Sequence, residues 1–160
     1  SRSLFAANRM VPPPPASMEP TPAEREDVRR CVLAYLQVPS PHIKLTLTSI
    51  EKLHHTELLD AFEVRRQQLR DPTMVKRKCY GPSPGLPNIV AHGFSLPNVN
   101  NRAGRMLHFP DTQPVSPAVR MYDLLVCDVA VGRVWKYEGH LGDLDLQRME
   151  NAGFDSAHVT

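Results

Sequence analysis

The run Tyr122-Asp123-Leu124-Leu125-Val126-Cys127-Asp128-Val129-Ala130-Val131 places apolar residues at both odd and even positions. A strand with one wet face alternates, whereas a strand covered on both faces is apolar on both. The run therefore predicts a central strand, with other elements lying on either side of it. Upstream, Val75 to Tyr80 reads as a short strand, and Ile43-Lys44-Leu45-Thr46-Leu47-Thr48 alternates as a half-buried strand should. Arg105 to Phe109 predicts one more short strand.

Helical signals separate these strands. Thr21-Pro22-Ala23-Glu24 holds a capping residue, a proline suited to the first helical position and a glutamate that closes a capping box. Val28, Cys31, Val32, Tyr35 and Leu36 then share one helical face, until Pro39 and Pro41 end the helix. A second helix is expected from Thr56 to about Arg70, with Leu58, Leu59, Phe62 and Leu69 as its apolar stripe. Gly81 through Pro87 reads as a loop, and Asn88 to His92 as a helical turn closed by Gly93. Ser95 to Ala103 predicts an exposed loop, and Ser116-Pro117 a brief helix. Leu141, Leu144, Leu146 and Met149, set among charges, read as a segment covering a sheet edge. This order of elements is that of an α+β domain.

Composition narrows the classes. Across 160 residues, 41% are hydrophobic and 22% charged, as in a folded globular domain. Several of the 16 prolines crowd the first 41 residues and include Pro12 to Pro15, so residues 1–20 read as a flexible proline-rich lead and 21–160 as the domain. A net charge of +2 does not by itself argue for nucleic acid. Three widely spaced cysteines argue by their odd number against a disulfide framework and for a reducing, intracellular setting, nuclear or cytoplasmic. No run approaches a membrane span of about 18 apolar residues, and the first ten residues lack the apolar run of a secretory signal. Neither Cys-x-x-Cys nor His-x-x-x-His spacing occurs, so no metal site is expected. The start without Met and the abrupt end read as a piece of a longer protein.

Taken in order, the segments resemble the catalytic domain of the poly(ADP-ribose) polymerase family. Residues 43–62 are similar to the opening of that domain. Tyr80-Gly81-Pro82-Ser83 stands in the place of its His-Gly-Ser/Thr. Asn88-Ile89-Val90-Ala91-His92-Gly93-Phe94 resembles the helical turn and Gly-Phe that follow. Gly104-Arg105-Met106-Leu107-His108-Phe109-Pro110-Asp111 resembles its Gly-x-Gly-x-Tyr-Phe-Ala, and 124–132 its Leu-x-x-Cys-x-Val-x-x-Gly strand. Gly153-Phe154-Asp155-Ser156 resembles its Gly-Tyr-Asp-Ser.

The resemblance implies an ADP-ribosyltransferase-like fold, truncated at its C-terminus, and an altered NAD pocket at Tyr80, Gly81, Ser83, His108, Phe109, Ser116 and Val119. In the family a histidine holds the NAD ribose, and a tyrosine stacks on the nicotinamide. Here Tyr80 replaces the histidine and His108 the tyrosine, while Val119 stands where a second aromatic is usual. The strand that carries the family's catalytic glutamate would begin after Thr160. Gly81, with a backbone able to meet a carboxamide, and Ser116, at the amide-binding serine, keep the pattern.

Three readings follow. The first is a catalytically degenerate domain without cofactor, acting as a protein-interaction scaffold. Degenerate members of this fold occur in chromatin-silencing assembly proteins. Its expected contact surfaces are Asn98, Asn100 and Asn101, and the cations Arg65, Arg66, Lys76 and Lys78. The second is an active mono-ADP-ribosyltransferase that uses NAD with Tyr80 and His108 in exchanged roles. The third is a nucleic-acid contact module built on the cations around Lys76.

Overall fold

The computed structural model describes residues 15–95 and 106–160. The first helix, α1 (Pro22–Tyr35), starts as its sequence dictates. The Thr21 hydroxyl accepts the Glu24 N–H at 3.2 Å, and Pro22 lies in the first turn. Val32, Tyr35 and Leu36 are buried, and Val28 and Cys31 pack beside them. Helix α2 (Thr56–Gln67) begins at the predicted place but stops earlier than Arg70. It buries no residue, and Leu59 of its predicted stripe is exposed, so that stripe covers the core only in part. Helix α3 (Leu86–His92) is longer than the predicted turn and closes at Gly93. The last helix, α4 (Leu146–Asn151), is capped by Asp145 and buries Met149.

Eight short strands form four two-stranded ribbons among the described residues, and with the helices they make a mixed α+β domain. Strand β1 (Ala16–Met18) pairs antiparallel with β3 (Lys52–His54). Strand β2 (Leu36–Gln37) pairs parallel with β5 (Gln113–Pro114). The longest ribbon joins β4 (Val75–Tyr80) to β6 (Leu125–Ala130), antiparallel, with Cys79 opposite Val126 and Arg77 opposite Asp128. Strand β7 (Val134–Tyr137) pairs parallel with β8 (Ser156–Val159), and α4 lies in the connection between them.

Several expectations are corrected. The 122–131 run is not the centre of a larger sheet among the described residues, where β6 bonds to β4 alone. Its residues are nevertheless mostly half-buried, because α1 covers one face of the ribbon while Phe94, Phe109 and Asp111 lie against the other. Ile43 to Thr48 forms no strand despite its alternation. Leu45 packs on the core, but the segment has no ladder partner, and a strand exists only through pairing. The strand expected at 105–109 is likewise absent over its described residues, and Ser116-Pro117 opens a turn rather than a helix. Ala16 to Met18, inside the proline-rich lead, forms β1, and Pro20 is buried. The loop at 95–103 lies almost wholly outside the described residues.

One carboxylate joins the C-terminal unit to the rest. Asp155, with a side chain only 6% exposed, accepts the Arg133 N–H at 2.8 Å and the Arg70 N–H at 3.0 Å, and pairs with the Arg70 guanidinium at 3.3 Å. Gly132, at φ +58°, passes so close that a Cβ there would lie 2.4 Å from Asp155 Oδ2. Asp155→Ala should lower stability by about 2–4 kcal/mol, since two amides and a cation lose their acceptor. Gly132→Ala should cost about 1–3 kcal/mol through backbone strain and the clash. The double variant should cost less than the sum, because removing the carboxylate opens the space. Urea denaturation of the four proteins checks this; strict additivity would contradict the packing described.

Candidate functional site

Helix α1 lies along β4 in matched register. Asp27, Cys31 and Tyr35 are four residues apart on the helix, and Arg77, Cys79 and Gly81 are two apart on the strand and just beyond its end. Four helical residues advance about 6 Å and two strand residues about 6.7 Å, so three contacts can follow one another in step. They do. Arg77 Nη1 lies 3.8 Å from Asp27 Oδ2, the Cys31 and Cys79 sulfurs are 3.2 Å apart, and the Tyr35 hydroxyl donates to the Gly81 carbonyl at 2.6 Å. The contacts run from an exposed ion pair to a buried hydrogen bond.

The third rung fixes the candidate pocket. Gly81 has φ +110°, where a side chain would be strained, and a Cβ there would sit 3.2 Å from the Asp123 carbonyl. The Gly81 carbonyl is thus occupied by a phenol from α1. Burial, with the nearby Cys79 and Tyr80, pushes the Tyr35 hydroxyl up from its ordinary value, so it stays a donor at neutral pH. On the other face of the ribbon, Tyr80 packs edge-on against Phe94 at 5.1 Å and against Phe109 at 5.8 Å, and the two phenylalanines meet at 5.4 Å. Such edge-to-face triads are mutually attractive and exclude solvent.

The remaining predicted pocket residues do not join them. His108 is exposed, and Val119 is 46% exposed. The Ser83 hydroxyl accepts the Gly85 N–H at 3.2 Å and shapes the loop before α3. The Ser116 N–H donates to the Tyr122 hydroxyl at 2.7 Å, which in turn donates to the Ser116 carbonyl. The structure brings Tyr80, Gly81 and Phe109 together and leaves His108, Ser116 and Val119 at the surface. Tyr35, Phe94 and the Cys31–Cys79 contact were not foreseen. The common spacing of Asp27, Cys31 and Tyr35 is the one signal for the α1–β4 contacts, and it says nothing of Phe94.

The predicted basic surface is largely satisfied within the chain. Arg65 donates to Gln68 at 3.2 Å. Arg66 pairs with Glu63 and donates to the Pro72 carbonyl at 2.6 Å. Lys78 pairs with Asp111 at 2.7 Å, and His158 reaches the other Asp111 oxygen at 3.2 Å. Lys78 chiefly, with His158, holds the Asp111 carboxyl below the usual carboxylate range. Asn98, Asn100 and Asn101 lie outside the described residues. A groove of about 560 Å³ runs between the start of α1 and the 45–50 segment, lined among others by Arg25, Arg29, Leu45 and Ile50. Among the described residues no helix is long and apolar enough to cross a membrane.

Searches against protein families, curated proteins and solved structures give no match to this chain.

The thiols have a pH signature. Burial first, then the contact with Cys31, pushes Cys79 up to about 12, and burial with the Asp128 charge pushes Cys127 up to about 11. An unfolded chain ionises these groups near 9, whereas the folded chain keeps them neutral. The associated stability is complete below about pH 9 and is lost as the pH rises through the folded values. With reductant present, the urea midpoint of the natural chain should fall more steeply between about pH 8 and 10.5 than that of Cys79→Ala. Equal slopes would show that Cys79 ionises as freely folded as unfolded.

Proposed function

We propose that this domain is a catalytically degenerate relative of the ADP-ribosyltransferase fold that serves as a protein-interaction scaffold in a larger, chromatin-associated nuclear protein. The observation that carries the reading is the Tyr35–Gly81 hydrogen bond of 2.6 Å. It places a phenol at the carbonyl which, by the resemblance, would receive the nicotinamide carboxamide. Two further features support it. Tyr80, in place of the ribose-binding histidine, is packed between two phenylalanines, and His108, in place of the stacking tyrosine, faces solvent. A phenol of pKa about 10 cannot alternate between donor and acceptor forms as an imidazole does near neutrality. With the recess filled, function moves away from it, and the sequence's candidates for partner contact are Arg65, Arg66, Lys76 and Lys78, with Asn98, Asn100 and Asn101 of the 95–103 segment.

The domain should not bind NAD. Calorimetry should give no heat assignable to a site, and a dissociation constant below about 100 μM would overturn the proposal. Tyr35→Phe should cost about 1–2 kcal/mol of stability by leaving the Gly81 carbonyl without its donor, and should not create NAD affinity. Charge reversal at Arg65, Arg66, Lys76 and Lys78, or joint substitution of Asn98, Asn100 and Asn101, should abolish activity of the parent protein. A Tyr80→Ala/His108→Ala chain that remains folded should retain it. Loss of activity in the Tyr80/His108 variant alone would favour the mono-ADP-ribosyltransferase reading instead.

A further inference from the structure

We infer that Cys31 and Cys79 form a redox-modification site: a hydroperoxide-sensitive dithiol whose closure to a disulfide clamps α1 onto β4. This inference is independent of the proposed scaffold role and of the fold family. It begins with register. The two sulfurs are 48 residues apart in sequence, yet stand 3.2 Å apart at the middle rung of the α1–β4 contact. The rungs above and below hold them there: Asp27 with Arg77 on one side, Tyr35 with Gly81 on the other. A disulfide needs its sulfurs at about 2.05 Å, so closure asks for a shift of about an ångström, within reach of small side-chain rotations.

The two cysteines have different surroundings, and each suits a different half of the reaction. Cys31 is half-buried at the edge of the core cluster, so a small peroxide can reach it. The Arg77 guanidinium, held by Asp128 at 3.0 Å and 3.8 Å from Asp27, stands one rung away from the pair. Cys79 is 3% exposed and cannot meet the oxidant first. It sits behind Cys31 as the resolving thiol. Cys127 lies on the opposite face of the ribbon, with its S–H directed to the Lys78 carbonyl at 3.6 Å, and takes no part.

The steps balance. The Cys31 thiolate attacks the near oxygen of a hydroperoxide ROOH, breaking the O–O bond to give Cys31–SOH, with the departing alkoxide taking a proton to become ROH. The Cys79 sulfur then attacks the Cys31 sulfur, forming the S–S bond and breaking the S–O bond. The departing hydroxide takes the Cys79 proton and leaves as water. Two thiols and ROOH become one disulfide, ROH and water; a dithiol reductant reverses the change. In the closed form α1 can no longer slide along β4, and Tyr35, four residues from Cys31, is fixed against Gly81.

The test uses the reduced 160-residue chain with hydrogen peroxide as the probe. The natural chain and Cys127→Ser should each lose two thiols and yield one cross-linked Cys31–Cys79 peptide by mass spectrometry, reversed by dithiothreitol. Their melting temperature should rise by on the order of 5–10 °C on oxidation, as expected for a cross-link closing a loop of this length. Cys79→Ser should stop at a Cys31 sulfenic acid trapped by dimedone. A buried hydroxyl at position 79 is costly to the fold, so Cys31→Ser provides the second arm: it should stay folded and keep Cys79 and Cys127 reduced under the same exposure. The pairing should be at least about tenfold more selective for Cys31–Cys79 in the folded chain than in urea, where chain entropy alone selects partners. Equal mixtures of the three possible pairings in the folded chain, oxidation of Cys79 in Cys31→Ser at the natural rate, or no cross-link at all would each overturn the inference.

Discussion

Tyr35 reaches from the last turn of α1 to the Gly81 carbonyl, and the core is arranged around that reach. Val32, Tyr35 and Leu36 from the helix, Cys79 from the strand and Val115 from a distant loop make the main buried cluster, with Leu124 and Val126 of the neighbouring chain segment packed against it. A single polar contact within an apolar cluster does more than add its own modest free energy. It selects one sliding position of the helix on the strand, because a phenol displaced by one turn would leave both its hydroxyl and the Gly81 carbonyl unmatched. The thiol contact and the Asp27–Arg77 pair fall into place at that same position.

The constraint has consequences for chemistry. A pocket that receives a ligand needs unsatisfied polar groups facing an open space. Here the polar backbone at Gly81 is already answered from inside the chain, and the aromatic rings of Tyr80, Phe94 and Phe109 fill the neighbouring volume by packing against one another. The same economy is seen at the surface, where Arg66, Lys78 and Arg77 each have an acidic partner. Exposed pairs of this kind contribute little to stability, but they quench the local field that would draw a polyanion.

The C-terminal ribbon obeys a second, separate constraint. Asp155 gathers the amides of Arg70 and Arg133 and the Arg70 guanidinium, so the end of α2, the entry to β7 and the entry to β8 meet at one carboxylate. Above it, Phe154 stacks on Trp135 at 6.0 Å with the Arg133 guanidinium over its outer face. The domain is thus held by two knots, one apolar with a buried hydrogen bond and one ionic.

Local signals were legible in the sequence. Thr21-Pro22 with Glu24 determined where α1 starts, the apolar spacing of Val28, Cys31, Val32, Tyr35 and Leu36 determined its buried face, and Val75 to Tyr80 and Leu125 to Ala130 were readable as strands. These succeed because capping and periodic burial involve residues a few positions apart. Alternation at Ile43 to Thr48 misled because a strand requires a partner, and nothing within six residues says whether one exists. The Tyr35–Gly81, Cys31–Cys79 and Asp155–Arg70 contacts span 46 to 85 residues. Which of many possible long-range partners is chosen depends on how all the elements pack at once, and only the tertiary structure decided it. The sequence by itself determined an α+β domain with a proline-rich start; folding decided that Tyr80 is packed, that His108 is outside, and that a tyrosine from the first helix closes on Gly81.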